Sequence, residues 1–287
     1  MDGHKNISVI ICTKNSEETL KETLESIKTA KPFEVIIIDG GSNDNTLNIA
    51  RNFTKRIYHD NGRGLGYARF LGAILAKGEY VAYIDSDVII PAEDFFDVLI
   101  EEMNRNCWVG IHAQIKTSKL RNYWERGMDF YFRNKFNIPG EKTELPMMAC
   151  VIKREIIIDI GFDVHFKGAG EDQDFWRRVH MKGYKFGVSY RRWVFHHHRS
   201  SFKEFIKQRI WYGKGNIMLF SKYHDWKKLM SPIGAVVGGI LLILRHKEFK
   251  FLPFFFLWGV SVGIGEIIGI LELITKSVRL RRGRNHG

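Results

Sequence analysis

The sequence predicts an α/β fold, a mostly parallel sheet flanked by helices, followed by a C-terminal helical hairpin. Three observations carry that prediction. Over the first 115 residues, short β-branched runs alternate with helical stretches of 10 to 13 residues, the pattern of βαβ units. The runs end on Thr13, Asp39 and Asp85, where ligands of open parallel sheets bind. Beyond residue 229 lie two long apolar stretches with basic residues on either side.

Ile7–Cys12 is a strand-length run, too short for the apolar core of a secretory leader. Glu17–Lys28 follows with Leu20, Leu24 and Ile27 at helical spacing. Glu34–Ile38 reads as a second buried strand, closed by the turn cluster Asp39-Gly40-Gly41-Ser42. Asn43 or Asp44 can cap the next helix, which should reach about Phe53. Leu65–Lys77 is a third helix, and Tyr80–Ile84 a strand entering Asp85-Ser86-Asp87. From Lys116 the pattern changes. Lys119–Lys135 should be helical, Met147–Ile152 a strand, and Glu171–Met181 a helix behind the hinge Gly168-Ala169-Gly170. We therefore expect four segments: 1–115, 116–200, a basic amphipathic stretch 201–228, and a hydrophobic hairpin with a basic tail, 229–287.

The charge is uneven. The chain carries +12 overall, yet 1–198 contributes only +1, while 199–228 contributes +6 and 276–287 adds +5. A nucleic-acid binder would be basic across its folded domain, so no nucleic-acid partner is expected. Positive flanks around an apolar segment instead fit a membrane anchor with its basic ends in the cytoplasm, Arg199 and Arg284 included. Phe251–Thr275 is long enough to cross a bilayer, whereas Leu229–Leu244 is short and would thin the bilayer or lie partly in the interface. Glu266 should face protein or be protonated. The pairs Gly234/Gly238, Gly259/Gly263 and Gly265/Gly269 would let helices approach closely. Ser201–Tyr212 has the composition of an interfacial helix. Cys12, Cys107 and Cys150 lack metal-ligand spacing and are expected to be reduced thiols.

Carboxylates two apart on an extended segment share a side, so Asp85 and Asp87 suit Mg²⁺ or Mn²⁺ also held by substrate phosphates. Asp39 can accept from a base N–H or a ribose hydroxyl, with Gly40 and Gly41 allowing close approach. Gly62-Arg63-Gly64-Leu65-Gly66 opens the helix bearing Arg69, but Tyr67 stands where a dinucleotide fingerprint needs its third glycine. Glu171-Asp172 at a helix start can supply a general base or simply cap the helix. In His196-His197-His198 an extended backbone puts the first and third rings on one side, either of which can complete a metal site at Asp87.

With these residues in view, the chain resembles a family-2 glycosyltransferase of the GT-A fold over about residues 6–215. Ser8-Val9-Ile10-Ile11-Cys12-Thr13-Lys14-Asn15 matches the family's opening strand and nucleotide loop. The stretch Glu34–Thr46 matches its second motif, Gly64-Leu65-Gly66-Tyr67-Ala68-Arg69 its third, and Tyr83-Ile84-Asp85-Ser86-Asp87 its metal motif. Gly170-Glu171-Asp172-Gln173-Asp174 resembles the acceptor-side motif and Phe195-His196 the later histidine. The resemblance implies that Thr13, Asn15, Glu17, Asp39, Arg69, Asp85 and Glu171 bind substrate. It further implies that Asp87 and His196 bind Mg²⁺ or Mn²⁺, and that Asp172 is the catalytic base.

Two departures stand out. Phe70 replaces the asparagine common after Ala-Arg, and Gln208-Arg209-Ile210-Trp211 is one residue short of the processive-synthase motif, which points to transfer of a single sugar. The expected activity is inverting, metal-dependent transfer from a nucleotide sugar, UDP- or GDP-linked, to a lipid-linked or glycan acceptor. The expected place is the cell membrane, with the catalytic domain facing the cytoplasm. A nucleotidyltransferase, or a membrane-tethered protein that binds a nucleotide sugar without turning it over, are the rivals.

Overall fold

A computed structural model describes residues 6–166 and 168–284, with side chains as far as Thr275; the side chains of the basic tail 276–287 lie outside the described residues. Two compact units are present. One comprises residues 6–120, 128–166 and 171–198, the other 121–127, 168–170 and 199–284.

The first unit is built on a mixed sheet. In chain order its strands are β1 (Ile7–Thr13), β2 (Glu34–Asp39), β3 (Ile57–His59), β4 (Tyr80–Ile84), β5 (Val88–Ile89), β6 (Gly110–Thr117), β7 (Gly140–Glu141), β8 (Ala149–Lys153) and β9 (Phe186–His196). They lie side by side as β3-β2-β1-β4-β8-β6-β9-β5, with β7 also on β9. The half containing β3, β2, β1 and β4 is parallel, as expected. β8 then runs antiparallel to both β4 and β6, so the other half is mixed. The helices are α1 (Leu20–Thr29), α2 (Thr46–Arg51), α3 (Leu65–Leu75), α4 (Phe95–Arg105), α6 (Arg154–Ile160) and α7 (Glu171–Met181). Fully buried Ile10, Ile36, Ile38, Tyr83 and Ile152 meet Phe175, Trp176 and Phe186 in the core. A parallel strand covered on both faces needs such unbroken apolar runs.

Between β6 and β7 the single helix expected over 119–135 is shorter. It is α5 (Tyr123–Tyr131), followed by a five-residue π-helical turn, Phe132–Phe136. Asn122 sets its start: its side-chain oxygen accepts from the N–H groups of Trp124 and Glu125, while Glu125 reaches back to the N–H groups of Arg121 and Asn122. That reciprocal cap fixes a helix end.

The second unit is helical: α8 (Phe202–Tyr223), α9 (Trp226–Leu229), α10 (Ser231–His246), a 3₁₀ turn (Phe249–Phe251) and α11 (Leu252–Arg284). Among the described residues only the stretch Phe249–Thr275, the 3₁₀ turn and most of α11, is by length and composition long and apolar enough to cross a membrane. Glycines set the spacing, though not all of those expected. A Cβ on Gly213 would meet the Val262 oxygen at 2.1 Å, and one on Gly265 would meet the Ile210 oxygen at 2.1 Å, so α8 and α11 touch backbone to backbone. Gly259 lies against Pro232 and Val236, and Gly239 against Phe255, which closes α10 onto α11. Gly234 and Gly238 face open space instead. Glu266 is buried and accepts from Asn216 Nδ2 at 3.0 Å, so it faces protein.

Candidate active site

Three parallel strands deliver their carboxyl ends side by side. Thr13 is in register with Asp39 across β1 and β2, and Ile10 with Tyr83 across β1 and β4, which carries the end of β1 past Asp85. Adjacent strands lie about 4.8 Å apart, so these ends share a rim one small molecule can cover.

The rim is stiffened by its own side chains. Asp39 is buried and accepts from the N–H groups of Gly41 and Ser42 and from the Ser42 hydroxyl, with His59 Nδ1 at 3.3 Å. Gly41 has φ +82°, a left-handed turn that glycine adopts without strain. Asn15, itself at φ +51°, accepts from Asn43 N–H and donates its own N–H to the Ser42 hydroxyl. Glu17 accepts from Asn45 N–H at 2.8 Å. Asn15 and Glu17 therefore hold the 42–45 loop against the end of β1. The Thr13 hydroxyl is buried and has no hydrogen-bond partner among the described residues. Buried hydroxyls are nearly always paired, so this one is open to a ligand.

Asp85-Ser86-Asp87 is a turn rather than an extended segment, closed by Val88 N–H on the Asp85 carbonyl at 3.1 Å. Its carboxylates consequently address different elements. Asp85 Oδ1 lies 3.7 Å from Arg69 Nη2, and Asp87 Oδ1 lies 3.3 Å from His196 Nε2. Two hydroxyl contacts pin the turn: Ser86 to Ser16 at 2.9 Å, and Thr23 Oγ1 to the Ser86 carbonyl at 3.0 Å. Ser16 carries no motif that marks it in the sequence, and Ser86 is marked only as the spacer between two aspartates.

Arg69 joins the strand rim to the start of α7. It is 4% exposed and pairs with Asp85 and, more closely, with Glu171, which is 2% exposed. The Tyr83 hydroxyl donates to its carbonyl at 2.9 Å. Burial and the neighbouring Asp172 push the Glu171 carboxyl up to about 8, against the pull of Arg69. Burial also raises Asp85 to about 6, with Arg69 opposing and Asp87 assisting. Asp172 is likewise raised by burial, again opposed by Arg69. A cleft that holds several carboxyls near or above the usual range suits proton transfer. Asp172, half-buried, accepts from Gln173 N–H. Gly66 lets α3 approach this point, since a Cβ there would stand 3.3 Å from Glu171 Cβ.

The histidine run divides as its alternation implies. His196, at the end of β9, faces Asp87 and lies 2.8 Å from His198, nitrogen to nitrogen, while His198 stacks on Phe132. His197 points elsewhere, to the Ser118 hydroxyl at 2.8 Å and Glu22 at 3.1 Å. Among the described residues no group of three or more His, Cys, Asp and Glu forms a self-sufficient metal centre. A divalent ion held largely by a diphosphate needs only one or two protein donors, and Asp87 with His196 provides a carboxylate and an imidazole at adjacent-ligand spacing. The imidazole departs from the all-oxygen shell Mg²⁺ prefers.

Residues 8–161 match the family model described as Glycosyl transferase family 2. Among curated proteins the chain is 30% identical over 134 residues to the glycosyltransferase GlyG of Streptococcus pneumoniae, covering 44% of this chain and 42% of that one. It is 31% identical over 181 residues to the glucosyl-dolichyl phosphate glucuronosyltransferase of Haloferax volcanii, covering 54% and 55%. The chain thus spans about half the length of these relatives.

Among solved structures, the glucosyl-3-phosphoglycerate synthase of Mycobacterium tuberculosis, in complex with Mg²⁺ and UDP, superposes with a TM-score of 0.57 at 17% identity over 77% of this chain and 80% of that one. S. aureus TarS 1-349 with UDP-GlcNAc gives 0.54 at 20% identity over 74% and 66%. These likenesses establish the GT-A fold.

Proposed function

The chain belongs to glycosyl transferase family 2, and from that premise we propose that it moves one sugar, with inversion, from a UDP- or GDP-linked donor to a lipid-linked or glycan acceptor at the cytosolic face of a membrane. The observation that carries this reading is the buried Arg69, bonded at once to Asp85 at the end of β4 and to Glu171 at the start of α7. One side chain thereby links the rim suited to a nucleotide with the helix end suited to an acceptor.

Thr13 and Asp39 take the base and ribose, with Asn15 and Glu17 holding the loop around them. Asp85 and Arg69 orient the ribose and diphosphate. Asp172 accepts the proton of the acceptor hydroxyl as its oxygen attacks the anomeric carbon and the bond to the diphosphate breaks. A positioned base of this kind contributes about 10²–10⁴-fold in rate. Asp87 and His196 are the residues to hold Mg²⁺ or Mn²⁺, which supplies positive charge beside the leaving diphosphate when bound. In this assignment 1–115 forms the donor half and 116–200 the acceptor half. A phosphate acceptor is already ionised and has less need of a base, so Asp172 matters most for hydroxyl acceptors.

Solved relatives in fold bind UDP with Mg²⁺, and UDP-GlcNAc, which supports a UDP donor. The basic, apolar C-terminal unit and a relative named for a dolichyl phosphate substrate support a membrane-borne acceptor. Thermal-shift screening of the purified protein against UDP- and GDP-sugars with Mn²⁺ tests the donor assignment. Stabilisation by UDP-sugars that is lost in Asp87→Ala is the expected result; stabilisation by nucleoside triphosphates alone would replace it with nucleotidyl transfer.

A further inference from the structure

The helical unit has a direction that bears on how it meets a membrane. Contacts of α8 with α11 ascend together in the sequence: Phe205 with Phe254, Arg209 with Trp258, Asn216 with Glu266, Ile217 with Gly269. These two helices are therefore parallel. Contacts of α10 with α11 run oppositely, Gly239 with Phe255 and Pro232 with Gly259, so that pair is an antiparallel hairpin. Its turn, residues 247–250, consequently sits at the N-terminal end of α8. There the Tyr123 hydroxyl donates to the Lys250 carbonyl at 2.8 Å and accepts from Phe254 N–H at 3.1 Å. Tyr123 belongs to residues 121–127, a short stretch continuous at both ends with the chain of the α/β unit. The turn of the hairpin is thus held by a stretch whose two ends run directly into the α/β chain, and a hairpin crossing the bilayer would need that stretch on the far side.

A single crossing by α11 meets a second obstacle. α8 would accompany it at the same depth and carry Lys207 and Lys214 into the hydrocarbon, where lysine is costly. It would also deliver Lys222, Lys227 and Lys228 to the opposite side, against the positive-inside rule. Yet one side of the hairpin is bare. On α10 the residues Val237, Leu241 and Leu244 are exposed at helical spacing, and on α11 so are Phe256, Val260 and Ile267, the last 61% exposed. Trp226 and Phe249, both more than 60% exposed, lie next to the helix ends, where aromatic rings meet headgroups.

We propose that the helical unit docks in the plane of an anionic bilayer, in one leaflet, with this apolar stripe in the acyl boundary and its lysines at the headgroups. The inference rests on the membrane reading above and adds the mode of attachment. Apolar burial and basic headgroup contact act together in such in-plane helices, and here the exposed Arg245, Lys247 and Lys250 around the hairpin turn, next to Leu244 at the end of the stripe, supply the second.

The test adds full-length protein to preformed sealed vesicles of phosphatidylcholine with phosphatidylglycerol and follows flotation, then labels single cysteines with a membrane-impermeant maleimide. Native Cys107, exposed on the α/β unit, reports the catalytic side; Lys227→Cys and Lys247→Cys, each combined with Cys107→Ser, report the two ends of the helical unit. All three should label fully from outside, and the double variant Leu241→Asp/Ile267→Asp should float at least about tenfold less. Protection of Lys227→Cys while Cys107 labels would establish a crossing and overturn the proposal. Flotation unchanged in the double variant would overturn the stripe. Flotation on neither anionic nor neutral vesicles would remove the membrane reading itself, an outcome distinct from the other two.

Discussion

The two units of this protein bury opposite things. The α/β unit encloses its aliphatic side chains almost completely, Ile10, Ile36 and Ile152 among them, and concentrates polar groups at one rim of the sheet. The helical unit turns Leu241, Leu244 and Ile267 outward and buries Arg209, Asn216 and Glu266. Isolated apolar residues on a surface are ordinary, but a continuous stripe along two helices is not. The first unit closes its apolar side chains inward, and the second leaves a row of them uncovered. The buried polar groups differ in kind as well. Those of the rim gather at the strand ends and pair with one another, whereas Arg209 lies among the rings of Phe205, Tyr212 and Trp258 and packs the helices together.

That contrast predicts where substitutions hurt. The largest stability effect should come from Arg69→Met, which leaves Glu171 buried, and the half-exposed Asp85 beside it, without their cation. A loss of about 3 kcal/mol is expected, by analogy with other broken buried pairs, and measured by denaturant unfolding. Adding Glu171→Leu should recover part of it, the coupling expected of residues in contact. A loss in the double variant equal to the sum of the two single losses would mean that the pair is not a structural bridge.

In the helical unit, Gly213→Ala forces α8 from α11 because the added methyl meets backbone, not a movable side chain. About 1–3 kcal/mol is expected, read as faster hydrogen exchange over 205–272 with UDP affinity unchanged.

A comparable pH-dependent effect belongs to His112, buried in β6 with its Nε2 accepting from Ala149 N–H. Burial lowers its pKa from 6.5 to about 4. Its neutral form therefore contributes stability that is complete above the unfolded value and is lost as pH falls toward 4. The ceiling is about 3 kcal/mol, and His112→Gln should flatten that part of the stability–pH curve.

Much of the rim was legible in the sequence because two signals coincided there. β-branched runs end on Thr13, Asp39 and Asp85, and the runs alone place those residues at strand ends. The helix Glu171–Met181 was equally plain, with acidic residues in its first turn and a glycine hinge before it. What escaped were features made by distance in sequence. Arg69 and Glu171 are 102 positions apart, and nothing local says that they touch. β9 was hidden by a bulge: the register with β6 slips between His112 and Gln114, and buried Glu102 holds the irregular turn by accepting from Tyr190 N–H and the Ser189 hydroxyl. Such a bulge breaks the alternation by which a strand is recognised. The paired aspartates were read as extended, whereas the local hydrogen bond from Val88 makes a turn of them. In the helical unit the glycines announced close packing but not its partners; Gly265 and Gly269 serve α8, which no periodicity reveals.

The central claim is that the strand rim and the start of α7 act on one sugar nucleotide, with Asp172 taking the proton. The direct measurement compares wild type with Asp172→Asn for binding of UDP in the presence of Mn²⁺ and for transfer from a matched UDP-sugar to a hydroxyl acceptor. UDP affinity should stay within about twofold while transfer falls by at least about 10²-fold. Transfer at the wild-type rate in Asp172→Asn would contradict the account.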